Sequence, residues 1–107
     1  MSAPANPWRG EALLELAGQA HVLRPSFAAL VAAEEELGAL FPLVERAAAG
    51  ELRLSELVAL YWHCLTSHDG LDRDAFAAAL IAIGLARATK PLRALLEQVL
   101  QGRAEPA

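Results

Sequence analysis

The chain has 107 residues, 55% of them apolar, and a net charge of −4, which is one domain's worth of sequence with material for a modest core. The acidic balance argues against general nucleic-acid binding, which needs clustered Lys and Arg, and the lone cysteine, Cys64, excludes an intramolecular disulfide. No run of about 18 apolar residues exists to span a bilayer, and Met1 to Gly10 lacks the apolar stretch of a signal peptide, so the expectation is a cytoplasmic protein without membrane contact.

Residues 1–8, MSAPANPW, are small and Pro-rich and read as a flexible arm. Trp8 closes the arm; its size and burial tendency draw such a residue back onto its own domain more often than toward a partner. Residues 9–102 then read as one helical domain with an N-terminal hairpin, and 103–107 as a frayed tail. The fold class is mainly α, with about five short helices and a short β-hairpin.

The hairpin comes from EALLELAGQAHVLR, residues 11–24. Leu14 and Leu16 fall on one face of a strand and Glu11, Leu13 and Glu15 on the other, while Gly18 supplies the positive φ of a tight turn. A lone hairpin is marginal in water, so it must lie on the helices. Pro25 biases Leu23 and Arg24 to extended backbone, and Ser26 is a candidate N-cap. The first helix places Phe27, Leu30 and Val31 at i, i+3, i+4, followed by a charged turn at Glu34, Glu35 and Glu36 and a stop at Gly38. A second helix over 39–49 tolerates Pro42 only in its first turn, puts Phe41, Val44 and Ala48 on one face, and ends at Gly50.

The third helix, 54–67, has the clearest stripe: Leu54, Leu57, Val58, Tyr61, Trp62 and Leu65, widened by Leu60 and Cys64, with Ser55 as its candidate cap. That width predicts the central helix. The fourth begins at the cap Asp72 and carries Phe76, Leu80 and Ile83. The fifth begins near Thr89 to Pro91 and carries Leu92, Leu95, Leu96, Val99 and Leu100. No internal repeat is present.

The chain carries no catalytic constellation, and the expectation is that it is not an enzyme. His63, Cys64 and His68 are the only cluster of zinc-ligand types, without a third or fourth ligand at a usable spacing; His21 belongs to the hairpin. Asp69, Gly70, Asp72 and Asp74 do not make a calcium loop, because setting Gly70 at loop position 6 puts Leu65 at 1 and Phe76 at 12. They read as a turn and an acidic helix start that complements the dipole. Ser26, Ser55 and Ser67 sit in no nucleophile elbow, and no glycine-rich phosphate loop occurs. The expected cofactor is none, and no metal site is expected. Three consecutive glutamates fan around a helix and read as a solvated face, not as an acid–base pair.

Taken in order, several segments form a pattern: a basic-Gly-Glu opening, the Gly-centred hairpin, HVLRPSFAAL at the first helix start, the EELG close, LVERAAAG, the WHCL end of the third helix, and LDRDAFAAAL. Over roughly residues 8–102 this set resembles the gene transfer agent family of small tail proteins, similar to phage tail assembly chaperones encoded just before the tape measure protein. Ala17 departs from the Asp or Asn expected before the turn glycine.

The resemblance implies a chaperone that binds the long, helix-rich tape measure protein, keeps it soluble while the tail tube polymerises around it, and is absent from the finished particle. The implied partners are the tape measure protein and, second, the tail tube protein; self-association stays open. Aromatic anchors dominate many interfaces, which makes Trp8, Phe41 and Trp62 the candidate contact residues. Three alternatives stand beside this one. They are a structural tail component retained in the particle, a small helix-turn-helix DNA-binding regulator, which would need a basic recognition helix the chain does not offer, and an enzyme.

Overall fold

The computed structural model describes residues 11–68 and 70–101. Strands β1 (Ala12–Leu16) and β2 (Gln19–Leu23) are followed by α1 (Phe27–Leu37), α2 (Leu40–Ala48), α3 (Leu54–Cys64), α4 (Arg73–Ala82), α5 (Leu85–Ala88) and α6 (Lys90–Gln101). Five of the helices have nine residues or more, and α5 is a single turn of four. The mainly helical domain with an N-terminal hairpin is therefore present. Among the described residues, no single helix is long and apolar enough to cross a membrane. The arm with Trp8 and the tail 103–107 lie outside the described residues.

The hairpin is antiparallel, with Leu16 opposite Gln19 and Ala12 opposite Leu23. Its two-residue loop holds both Ala17 (φ 51) and Gly18 (φ 79) in left-handed backbone, the geometry of a type I′ turn. Glycine adopts it freely; Ala17 does so against its Cβ, which is the physical content of the departure noted in the sequence. Ala12, Leu14 and Leu16 are buried, while Leu13 and Glu15 are exposed, so the alternation selects the expected inner face.

α3 is the central helix, with Leu57, Val58, Ala59, Leu60, Tyr61 and Cys64 all buried. Its N-terminus departs from expectation. Ser55 lies inside the first turn, and the cap is Arg53, whose backbone N–H donates to Glu56 Oε1 at 2.9 Å. Its C-terminus departs too, ending at Cys64 instead of residue 67. Leu65 turns extended and bridges Leu23, Thr66 N–H donates to the Val22 carbonyl at 3.0 Å, and Arg24 N–H donates to the Cys64 carbonyl at 2.7 Å. Leu65 remains buried. Competition from the sheet edge ends the helix where the apolar spacing would have continued it.

α1 packs along α3 through buried Ala29 and Ala33, small residues that let two helices approach closely. Ser26 caps it, its Oγ accepting from Ala29 N–H at 3.2 Å. α2 buries Leu43, Val44 and Ala47, and α4 buries Phe76 and Leu80 beneath its cap, Asp72, which accepts from Ala75 N–H at 2.7 Å. Leu92 and Leu95 of α6 close the core. Tyr61, fully buried, donates its hydroxyl to the Ala88 carbonyl at 2.7 Å and so pins α5 to α3; burial pushes its pKa well above the ordinary phenol value.

A candidate protein-binding face

Two helix faces differ from the sequence reading, and both differences expose an aromatic ring. The spacing of Phe27, Leu30 and Val31 predicts a common face for them, yet Phe27 is 85% exposed. α1 turns Ala29 and Ala33 inward instead, and a residue two positions before Ala29 sits about 200° around the helix. The sequence spacing puts Phe41 with Val44 and Ala48. The inner set is Leu43, Val44 and Ala47, leaving Phe41 81% exposed and Ala48 exposed.

A tight apolar crevice lies where α1, α2, α3 and α6 meet, lined by Pro25, Leu30, Leu40, Val44, Leu96 and Val99 among others, with only about 10 Å³ of open space and neither ring in its lining. Phe41 follows the lining residue Leu40, and Phe27 stands two positions after Pro25. Leu100 is exposed at the α6 end of the same region. A second apolar recess of about 180 Å³ lies between α2, α3 and α5, with exposed Leu54 and Leu85 at its mouth. Large apolar side chains grouped around grooves are a feature of protein-binding surfaces.

Trp62 occupies a different setting. It is half-buried against the core; its ring stacks on His68 with centroids 4.1 Å apart and tilts against Phe76 at 5.8 Å. His68 Nε2 donates to the Trp62 carbonyl at 2.7 Å, which fastens the covering ring. Of the three candidate contact residues, Phe41 is therefore open, Trp62 is partly covered from within, and Trp8 lies outside the described residues. The structure does not bring Phe41 and Trp62 into a common ring cluster. Phe27 was missed; the pair of alanines four residues apart at Ala29 and Ala33 was the available signal for the packed face.

The glutamate run does more than face solvent. Glu34 Oε2 accepts from Leu40 N–H at 2.9 Å and caps α2, which has no side-chain cap of its own. Glu36 bridges three helices. It takes Arg73 Nη1 at 3.0 Å along with Arg73 Nη2, and meets His63 Nε2 at 2.8 Å. Arg73 first and His63 second hold its carboxyl below the usual range. Arg46 makes two 2.7 Å bonds to the Glu56 carboxylate, joining α2 to α3 and holding Glu56 at about 2. His63, Cys64 and His68 thus point to separate tasks, and burial pushes the Cys64 thiol up to about 12, far from the reactive thiolate range.

The surface offers two exposed aromatic rings and, separately, an apolar recess with Leu54 and Leu85 in its lining, features suited to binding. No curated protein and no solved structure matches the chain. The family described as phage tail tube protein, GTA-gp10, matches residues 9–102. That span covers nearly all of the sequence and the whole described fold, and the chain belongs to this family of phage and gene transfer agent tail proteins.

Proposed function

We propose that the protein is a tail assembly chaperone that binds the tape measure protein and assists polymerisation of the tail tube around it. The observation that carries this reading is that Phe27 and Phe41 are both exposed to solvent on a member of a tail protein family. A helical client lays its apolar stripe against exposed rings of this kind, and an acidic chain keeps the complex soluble. The role is binding, not catalysis, and is carried out in the cytoplasm before the particle is complete. Phe41 and Phe27 are the anchors, and Trp62 and Trp8 are secondary contacts.

The test is co-expression with the tape measure protein of the same tail system. Soluble client and a co-purifying complex are expected only when this chain is present. Client that is equally soluble without it, with no complex formed, overturns the reading.

A second reading, a subunit retained in the particle, is favoured by the family description as a tube protein. Against it, the sheet among the described residues has two strands, whereas a tube wall built by strand pairing between subunits needs long paired strands. Purified particles distinguish the two: stoichiometric protein supports the retained subunit, and its absence supports the chaperone.

A further inference from the structure

The two edges of the hairpin are not alike. In a hairpin with a two-residue loop, the pair next to the turn is hydrogen-bonded, and bonded pairs alternate from there. Leu16 and Gln19, Leu14 and His21, and Ala12 and Leu23 are then the bonded pairs. The N–H and C=O groups of Leu13 and Glu15 therefore point away from β2. The same alternation turns Val22 and Arg24 outward on the other edge, and there both are used, by Thr66 and by Cys64. Among the described residues nothing bonds to the backbone of Leu13 or Glu15 on the open edge.

An open cleft of about 430 Å³ runs beside that edge, lined by Leu13, Leu14, Glu15, Ile83, Arg87, Lys90 and Pro91. Arg87 and Lys90 are exposed, and neither has an ion pair or side-chain hydrogen bond among the described residues. They are half of the four basic residues that make residues 75–107 net +2 in an otherwise acidic chain. We propose that the free edge of β1 takes up an extended, acidic segment of a partner protein by strand addition, with acidic side chains of the incoming strand meeting Arg87 and Lys90.

Main-chain bonds give such docking its affinity and alternate side chains its selectivity. An added strand alternates as β1 does. Side chains on its inner face, the side of Leu14, pass over Ile83, Arg87, Lys90 and Pro91 and are acidic. Those on its outer face run beside Leu13 and Glu15 and are apolar or neutral. A second copy is the poorer occupant. Antiparallel pairing of two β1 strands about Leu13 puts Glu11 opposite the other copy's Glu15, and like charges directly opposite are destabilising. The proposal does not rest on the tape measure reading, since it uses a different surface.

The test uses the full chain and three short end-blocked peptides: alternating valine and aspartate, the same peptide with lysine for aspartate, and the acidic peptide N-methylated at alternate residues. The acidic peptide is expected to bind about tenfold tighter than the lysine peptide, the range available to two exposed ion pairs, and to perturb the amide signals of Leu13 and Glu15. N-methylation on the bonding edge should abolish binding. Doubly substituted Arg87→Glu and Lys90→Glu protein should reverse the preference while keeping its melting temperature. Leu13→Pro removes an outward N–H without breaking the hairpin ladder and should also abolish binding. Equal affinity for acidic and lysine peptides, or no binding of either, overturns the proposal. So does slow exchange of the Leu13 and Glu15 amides in the free protein, which would mean that the chain's own arm or a second copy already covers the edge.

Discussion

α1 and α3 carry apolar residues at the same helical spacing and use them in opposite ways. On α3 the stripe goes inward and is buried at Leu57, Val58, Tyr61 and Leu65, with Trp62 half-buried and only Leu54, at the helix start, exposed. On α1 the series begun by Phe27 leaves that ring 85% exposed, and the inner contact is made by Ala29 and Ala33. Spacing identifies a helix; it does not say which side faces in. α3 is apolar around most of its circumference, so any phase buries a large residue. α1 has a choice, and close approach to α3 through alanine decides it.

The largest expected effect tests the α3 side of that contrast. Phe76→Ala removes a fully buried ring beside α3 and should cost about 3–5 kcal/mol, and Leu57→Ala about 2–5 kcal/mol, by urea denaturation. A loss under 1 kcal/mol at both would mean that α3 is not the centre of the core. Tyr61→Phe comes next. It leaves the Ala88 carbonyl without its buried donor and should cost about 1–3 kcal/mol, with faster amide exchange at α5 than at α3.

Most of the architecture was legible because it rests on local signals. Gly18 and the alternation of Leu14 and Leu16 marked the hairpin, Ser26 and Asp72 the caps, and the α3 stripe the core. What was not legible depends on partners distant in sequence. The end of α3 is set by Val22 and Arg24 bonding across to Thr66 and Cys64, the start of α2 by Glu34, and the phase of α1 by α3. The candidate face was half legible. Phe41 stands among the aromatic candidates of the sequence, whereas Phe27 falls in a stripe that its helix does not bury.

The cap of α1 sharpens the comparison, because it fixes where the helix starts and hence where Phe27 stands. Ser26→Ala should cost about 1 kcal/mol, since Ala29 N–H loses its acceptor at a partly buried site. The expected readout is a lower urea midpoint with an unchanged denaturant slope. Glu56→Gln has a smaller effect, present at neutral pH and vanishing in acid. Its folded pKa of about 2 lies below the ordinary 4.5, so its contribution is complete above 4.5 and is lost as pH falls toward 2. The wild-type urea midpoint should drop through that window, and the Gln variant, already lacking the contribution at neutral pH, should drop less. Identical pH curves would mean that the Arg46–Glu56 bridge does not join α2 to α3 in solution.

The smallest expected effect on stability bears most directly on function. Replacing both Phe27 and Phe41 by Ser removes two rings that are 85% and 81% exposed and make no part of the buried core. Exposed substitutions of this kind fall within about 0.5 kcal/mol, so the melting temperature should hardly move. Under the chaperone reading, the same double variant should lose most of its capacity to keep the tape measure protein soluble on co-expression, because the anchors of an interface carry much of its binding energy. A marked destabilisation would show that the rings are packed in solution and that α1 and α3 use their stripes alike. Unchanged stability with full client rescue would leave the helix comparison intact and remove these two rings from the binding face.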